Sequence, residues 1–282
     1  MKEEFLSYGE NERGFCIATL PEILDSAPVI VLFNAGLLHR TEPYRLNVLL
    51  ARKLASIGYI VLRVDLSGNG DTPRRGELKV RESVKLDWDD LKKGINNRFG
   101  SRTIIVGGLC SGADNAIKLA AVDTEIKGLI LLDPIAYKDE GFKKRQFIKK
   151  YFNPYRWLLV PEKLKSRLVK MSAKSIKSEA EDIDSLRDEP TVDEMNQCFS
   201  NIVASSGQVL LFFTSHVLAR YNQQGQFCRV IAVAGLSNHC EEVFAPSVTH
   251  LYRVQTHRDR LIECIANWSS KHIENFKSFS YS

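Results

Sequence analysis

The sequence of 282 residues contains no stretch near the roughly 20 apolar residues that a bilayer-crossing helix needs, so no membrane span is expected. Its opening, Met1-Lys2-Glu3-Glu4-Phe5, carries acids and no apolar signal region, so the expected location is cytoplasmic. Cysteine is sparse, and the six residues Cys16, Cys110, Cys198, Cys228, Cys240 and Cys264 lack the paired spacing of a disulfide framework or a zinc motif. Reduced thiols and no bound metal are therefore expected. The loop Ser67-Gly68-Asn69-Gly70-Asp71 has glycines but no Lys-Ser/Thr pair, which argues against a phosphate-cradling loop, and no cofactor is expected. A last absence is local: residues 195–240 hold neither Asp nor Glu.

What is present is a core-forming composition, with 44% hydrophobic and 26% charged residues. At this length, one α/β domain carrying an insertion is favoured over two equal halves. The net charge of +5 is unevenly spread, because residues 143–177 hold twelve bases against Glu162 alone, while 179–194 hold eight acids against Arg187. Two readings stay open: a helical segment whose solvated faces partly neutralise each other, or a basic rim that attracts an anionic substrate or an acidic carrier protein. No nucleic-acid-binding module accompanies the basic run, so nucleic acid is not an expected partner.

Residues 4–21 alternate loosely and predict an opening hairpin, and the apolar runs 27–33, 59–66, 103–107, 128–133 and 208–213 predict strands. Between them, Leu46, Leu50, Leu54 and Ile57 mark one helix face, and Val84, Trp88, Leu91 and Ile95 another. Continuous apolar strands alternating with helices imply a mostly parallel, doubly wound sheet covered on both faces. The alternation breaks at 138–205, which is charged, helical in pattern and strand-free, so the expected division is a core of 1–137 and 206–282 with a helical lid at 138–205. A last helix is expected over 255–268.

The segment Gly108-Leu109-Cys110-Ser111-Gly112-Ala113 follows one of these strands and has the spacing of a strained strand-to-helix nucleophile turn. Crowding at such a turn requires small residues two before and two after its apex. Gly108 and Gly112 meet that requirement around Cys110, whereas an apex at Ser111 would press Leu109 into the crowded place. The alternative for Cys110 is an inert buried cysteine in a domain that has lost catalysis.

Together with Phe33-Asn34-Ala35-Gly36-Leu37-Leu38-His39-Arg40 and Leu62-Arg63-Val64-Asp65-Leu66-Ser67-Gly68-Asn69-Gly70-Asp71, that turn resembles the α/β-hydrolase superfamily. More narrowly it resembles the lid-bearing branch of serine-aminopeptidase-like and exosortase-associated hydrolases, with a cysteine in place of the serine. The resemblance implies ester, thioester or amide chemistry through a covalent acyl-enzyme. It places the base in the loop before the last helix, where His250 fits, while His239 precedes the strand-like run 241–248 and His257 falls inside the helix. It places an acid after the strand 208–213, where His216 or Val217 stands instead. Asp133, one strand earlier, is the candidate replacement; a plain Asp-Pro strand exit and an acid-free Cys110–His250 dyad are the alternatives. A cysteine tolerates a missing acid better than a serine, since a thiol near pKa 8.5 falls by roughly one or more units at a helix N-terminus beside an imidazole. The implied oxyanion donors are the N–H of Ser111 and that of Gly36 or Leu37, with a plain turn residue as the alternative for Gly36. His39 and Arg40 close behind have two open readings, contacts for a substrate carboxylate or acyl-carrier group, or a solvated turn. Thioesters and activated esters suit a thiolate better than amides. The competing reading is a non-catalytic binding protein that keeps the pocket and lacks the acid.

Overall fold

The computed structural model describes residues 1–151 and 187–279. Strands β1 (Lys2–Tyr8) and β2 (Gly14–Leu20) form the expected antiparallel hairpin, and β2 runs antiparallel to β4 (Ile60–Asp65). From β4 onward the neighbours are parallel: β3 (Val29–Phe33), β5 (Ile104–Leu109), β6 (Ile126–Leu132), β7 (Gln208–Phe213) and β8 (Cys240–Phe244). The sheet order is β1-β2-β4-β3-β5-β6-β7-β8.

The strand composition follows from burial on both faces. Side chains alternate across a strand, so Val29, Val31 and Phe33 join one core cluster while Ile30 and Leu32 join the other. The first cluster lies under α2 (Val80–Phe99), α3 (Ser111–Val122) and α5 (Val192–Ala204); the second lies under α1 (Leu46–Ser56) and α6 (Gln255–Ser278). Burial on both faces therefore favours nearly continuous apolar runs, with Arg63 and Asp65 at the end of β4 as exceptions that find charged partners. A shorter helix, α4 (Phe142–Tyr151), follows β6.

Three expectations are corrected. The lid boundary at 205 falls too late, because α5 buries Met195, Cys198, Phe199 and Ile202 in the first cluster and packs on α3, β6 and β7. A capping box fixes its start: Glu194 N–H donates to Thr191 Oγ1 at 3.2 Å and Thr191 N–H to Glu194 at 2.7 Å. Most of the expected lid and most of the basic run lie outside the described residues. The strand-like run 241–248 pairs only as far as Phe244, since Pro246 cannot donate to a ladder. The last helix runs past 268 to Ser278 because Trp268 and Phe276 still face the second cluster.

Candidate active site

The turn between β5 and α3 holds Cys110 at φ 55° and ψ −119°, a region a non-glycine residue occupies only when its surroundings impose it. Those surroundings are visible on both sides. Cys110 N–H donates to Leu132 O of β6 at 2.8 Å, and Cys110 O accepts from Asp114 N–H at 3.1 Å. A Cβ on Gly108 would meet Phe33 O at 2.6 Å, and one on Gly112 would meet the same oxygen at 2.8 Å. The glycine spacing is thus a consequence of β3 passing directly beside the turn.

Asp133 ends β6 in another left-handed conformation, φ 47°, with its N–H donating to Phe212 O at 2.9 Å. Its carboxylate is fully buried and has three donors: Thr214 N–H at 2.6 Å, Thr214 Oγ1 at 2.6 Å and His250 Nδ1 at 2.7 Å. Thr214 stands directly after β7, at the head of the 3-10 turn Ser215–Ala219. The strand end without an acid therefore supplies a hydroxyl and an amide that hold the acid of its neighbour. His250 reaches the site from the loop between β8 and α6.

Cys110 has two histidine partners. His216, in the turn after Thr214, and His250 both hydrogen-bond to the Cys110 side chain. Their rings stack with centroids 3.9 Å apart and an interplanar angle of 22°. Val217 points into the core instead. Burial pushes the Cys110 thiol up, but the hydrogen bonds from His216 and His250 and the positive charges of Arg187 and His250 outweigh it and bring the thiol down to about 6. Burial works against a charged His250 too, yet its hydrogen bonds to Asp133 and Cys110 raise it to about 9. Arg187 is anchored nearby by an ion pair with buried Asp114 and by a 3.2 Å hydrogen bond to Asp133 O. Cys16 and Cys198 lie at the other extreme, their thiols pushed up by burial, Cys16 to about 12. His216 was named from the sequence only as the occupant of the acid's place, and that position was the signal for it.

On the opposite wall, Gly36 has φ 51° and its N–H donates to Ser111 Oγ at 2.6 Å. Leu37 is 86% exposed, so its side chain stands clear of the site. Asn69 Nδ2 donates to Gly36 O at 2.9 Å, and Glu42 Oε1 accepts from Ala35 N–H at 2.6 Å. Glu42 is buried, its second oxygen has no hydrogen-bond partner among the described residues, and burial raises its carboxyl to about 8. His39 and Arg40 turn away from the role expected of them. Arg40 pairs with Asp65 and, at 2.7 Å, with Asp71, and His39 lies 3.7 Å from both carboxylates. The Arg40 guanidinium thereby braces the loop against the end of β4.

Among the described residues, two groups of side chains have metal-ligand character, with donor atoms within 4.8 Å of one another: Cys110, His216 and His250, and His39, Asp65 and Asp71. In the second, the Arg40 guanidinium already occupies both carboxylates. A cavity of about 700 Å³ lies elsewhere, between the β1–β2 hairpin and α2, lined by Tyr8, Cys16, Leu91 and Phe99 among others.

Comparison with protein-family models and with curated proteins gives no match. Solved structures do match along nearly the whole chain. Est1E from Butyrivibrio proteoclasticus superposes with TM-score 0.57 at 14% identity, covering 96% of this chain and 99% of that one. The Pyrococcus furiosus esterase Pf2001 gives TM-score 0.57 at 15% identity over 96% and 92% of the two chains. A loop variant of the haloalkane dehalogenase DbeA from Bradyrhizobium elkanii gives 0.54 at 16% over 97% of each. The chain has the α/β-hydrolase fold. Identities this low establish the fold and nothing narrower. Within the α/β-hydrolase fold, Cys110 occupies the strand-to-helix turn after β5, Asp133 the end of β6, and His250 the loop ahead of the last helix.

Proposed function

We propose that the protein is a hydrolase or acyltransferase that acts on ester or thioester bonds through an acyl group carried on Cys110. The observation that carries this reading is His250, which hydrogen-bonds Cys110 on one side and the buried carboxylate of Asp133 on the other. The thiol near 6 and the imidazole near 9 make a thiolate–imidazolium pair the resting form at neutral pH.

The thiolate attacks the carbonyl carbon: the Sγ–carbon bond forms and the π pair moves onto oxygen. The oxyanion's donors in this reading are Ser111 N–H, at the start of α3, and the N–H of Gly36 or Leu37. Ser111 Oγ, which accepts the Gly36 N–H in the resting site, marks where an acceptor sits before the oxyanion replaces it. Collapse breaks the bond to the leaving alcohol or thiol, which takes the His250 proton. Water or a second acceptor then gives its proton to His250, attacks the acyl carbon and releases the thiolate. Asp133 is a positioning residue that fixes the His250 ring, and Thr214 fixes Asp133 in turn. An acidic carrier protein as acyl donor would engage the basic run at 143–177, and its binding would weaken with salt.

The test is intact mass after incubation with a panel of acyl esters and acyl thioesters. Wild type is expected to gain one acyl mass, mapped to Cys110, and Cys110→Ala none. An absence of adduct, together with alkylation of Cys110 no faster than that of the other cysteines, would overturn the reading.

A further inference from the structure

The serine-type form of this fold offers one base to its nucleophile, but here a second imidazole stacks on the first. Three soft or borderline donors converge: the Cys110 thiol, His216 and His250, with ligand atoms within 4.8 Å. A tetrahedral zinc site has the same donor chemistry, and bond lengths of about 2.3 Å to sulfur and 2.0 Å to nitrogen put its ligand atoms roughly 3.3–3.6 Å apart. The two rings stack 3.9 Å apart and their lone pairs lie in the ring planes, so binding requires His216 to swing out of the stack by a χ rotation while His250 stays on Asp133.

The surroundings of His250 match what a zinc-bound histidine requires. Its Nδ1 is held at 2.7 Å by Asp133, which leaves Nε2 for the metal, and that carboxylate is fixed by Thr214. A carboxylate behind a ligating imidazole sets its tautomer and raises its basicity. Cys110 sits on a rigid turn between β5 and α3, and His216 on a short turn braced by the 3.3 Å hydrogen bond from its N–H to Thr214 Oγ1. The three donors come from positions 110, 216 and 250, a spacing with no sequence motif.

We propose that Cys110, His216 and His250 bind one Zn²⁺ ion, with Asp133 as the outer partner of His250 and the fourth position open. Zinc and catalysis compete for the same electron pairs, the Cys110 sulfur lone pair and that of His250 Nε2. Bound zinc therefore switches the acyl chemistry off, and a chelator restores it. The binding half of this inference does not depend on the catalytic reading; the inhibition half rests on it.

The experiment is titration of the chelator-treated full chain with Zn²⁺ in competition with a chromophoric chelator, alongside Co²⁺ absorption spectra. Wild type is expected to take up one ion, and its Co²⁺ form to show a thiolate charge-transfer band. Cys110→Ser should lose that band, and Cys110→Ser and His216→Asn should each bind at least 100-fold more weakly. Asp133→Asn should bind about 10 to 100-fold more weakly. Cys228→Ser, which removes the thiol hydrogen-bonded to Cys240, should bind like wild type. A zinc affinity unchanged in both Cys110→Ser and His216→Asn, or a Co²⁺ spectrum without sulfur, overturns the site. If acyl adducts form equally fast with zinc bound, the competition is wrong while the catalytic reading stands. If the chelated protein forms none, the catalytic reading fails and the metal site is judged on the titration alone.

Discussion

Asp133 shows how a residue reading and its alternative separate once geometry is known. From the sequence an Asp-Pro pair was as consistent with a strand exit as with an acid, because nothing in 195–240 reveals that Thr214 donates two hydrogen bonds to it. The competing reading, a non-catalytic binding protein, started from the missing acid, and the His250–Asp133 hydrogen bond makes Asp133 the residue on which the two readings are tested. Asp133→Asn keeps the volume but removes the charge that orients the imidazole. Turnover in steady-state assays is expected to fall by about 10² to 10⁴-fold, the range general acid–base catalysis contributes, and an undiminished rate would remove Asp133 from the mechanism. Glu42 makes a prediction of opposite kind. Its carboxyl ionises at 4.5 in the unfolded chain and near 8 when folded, so the folded state is favoured below 4.5 and this advantage drains away as pH rises to about 8. Glu42→Gln should flatten that part of the stability–pH curve in thermal unfolding. A slope equal to that of wild type would show the carboxyl to be solvated.

At the scale of elements, the strained turn at Cys110 was legible because its constraint is steric and local: two glycines bracket one apex. Gly108→Ala places a Cβ 2.6 Å from Phe33 O, and Gly112→Ala one 2.8 Å away, against backbone that cannot rotate aside. Overpacking of this sort costs about 1 to 3 kcal/mol, so each variant should show a lowered melting temperature, read by calorimetry. Melting like wild type would mean that β3 can move away from the turn. The strands were legible for a similarly simple reason, since burial on both faces favours apolar runs. That α5 belongs to the core and not to the lid was hidden, because its charged start, Asp193 and Glu194, continues the acidic run before it. Only its later stripe of Met195, Cys198, Phe199 and Ile202 belongs to the core. The contacts of His39 and Arg40 were hidden for the converse reason. Their partners Asp65 and Asp71 lie on another loop, and no pattern along the chain joins the two.

At the scale of the whole molecule, the site's electrostatics predict a window rather than a threshold. A thiolate forms as pH rises through about 6, and the imidazolium is lost as pH rises through about 9. Acyl transfer that needs both should give a bell-shaped kcat/KM profile with limbs near those values, and a single rising limb would exclude the ion pair as the reacting form. The strand order adds something in time. Cys110 and Asp133 end adjacent strands, and the Cys110 N–H already bonds Leu132 O across that ladder. His250 follows Asp133 by 117 residues, and His216 also comes late in the chain. During synthesis, then, the cysteine emerges before Arg187 and well before the two imidazoles, the groups that lower its thiol. Until the C-terminal segment has docked, Cys110 lacks the two imidazoles that hydrogen-bond it, and its thiol keeps the weaker acidity of a free cysteine.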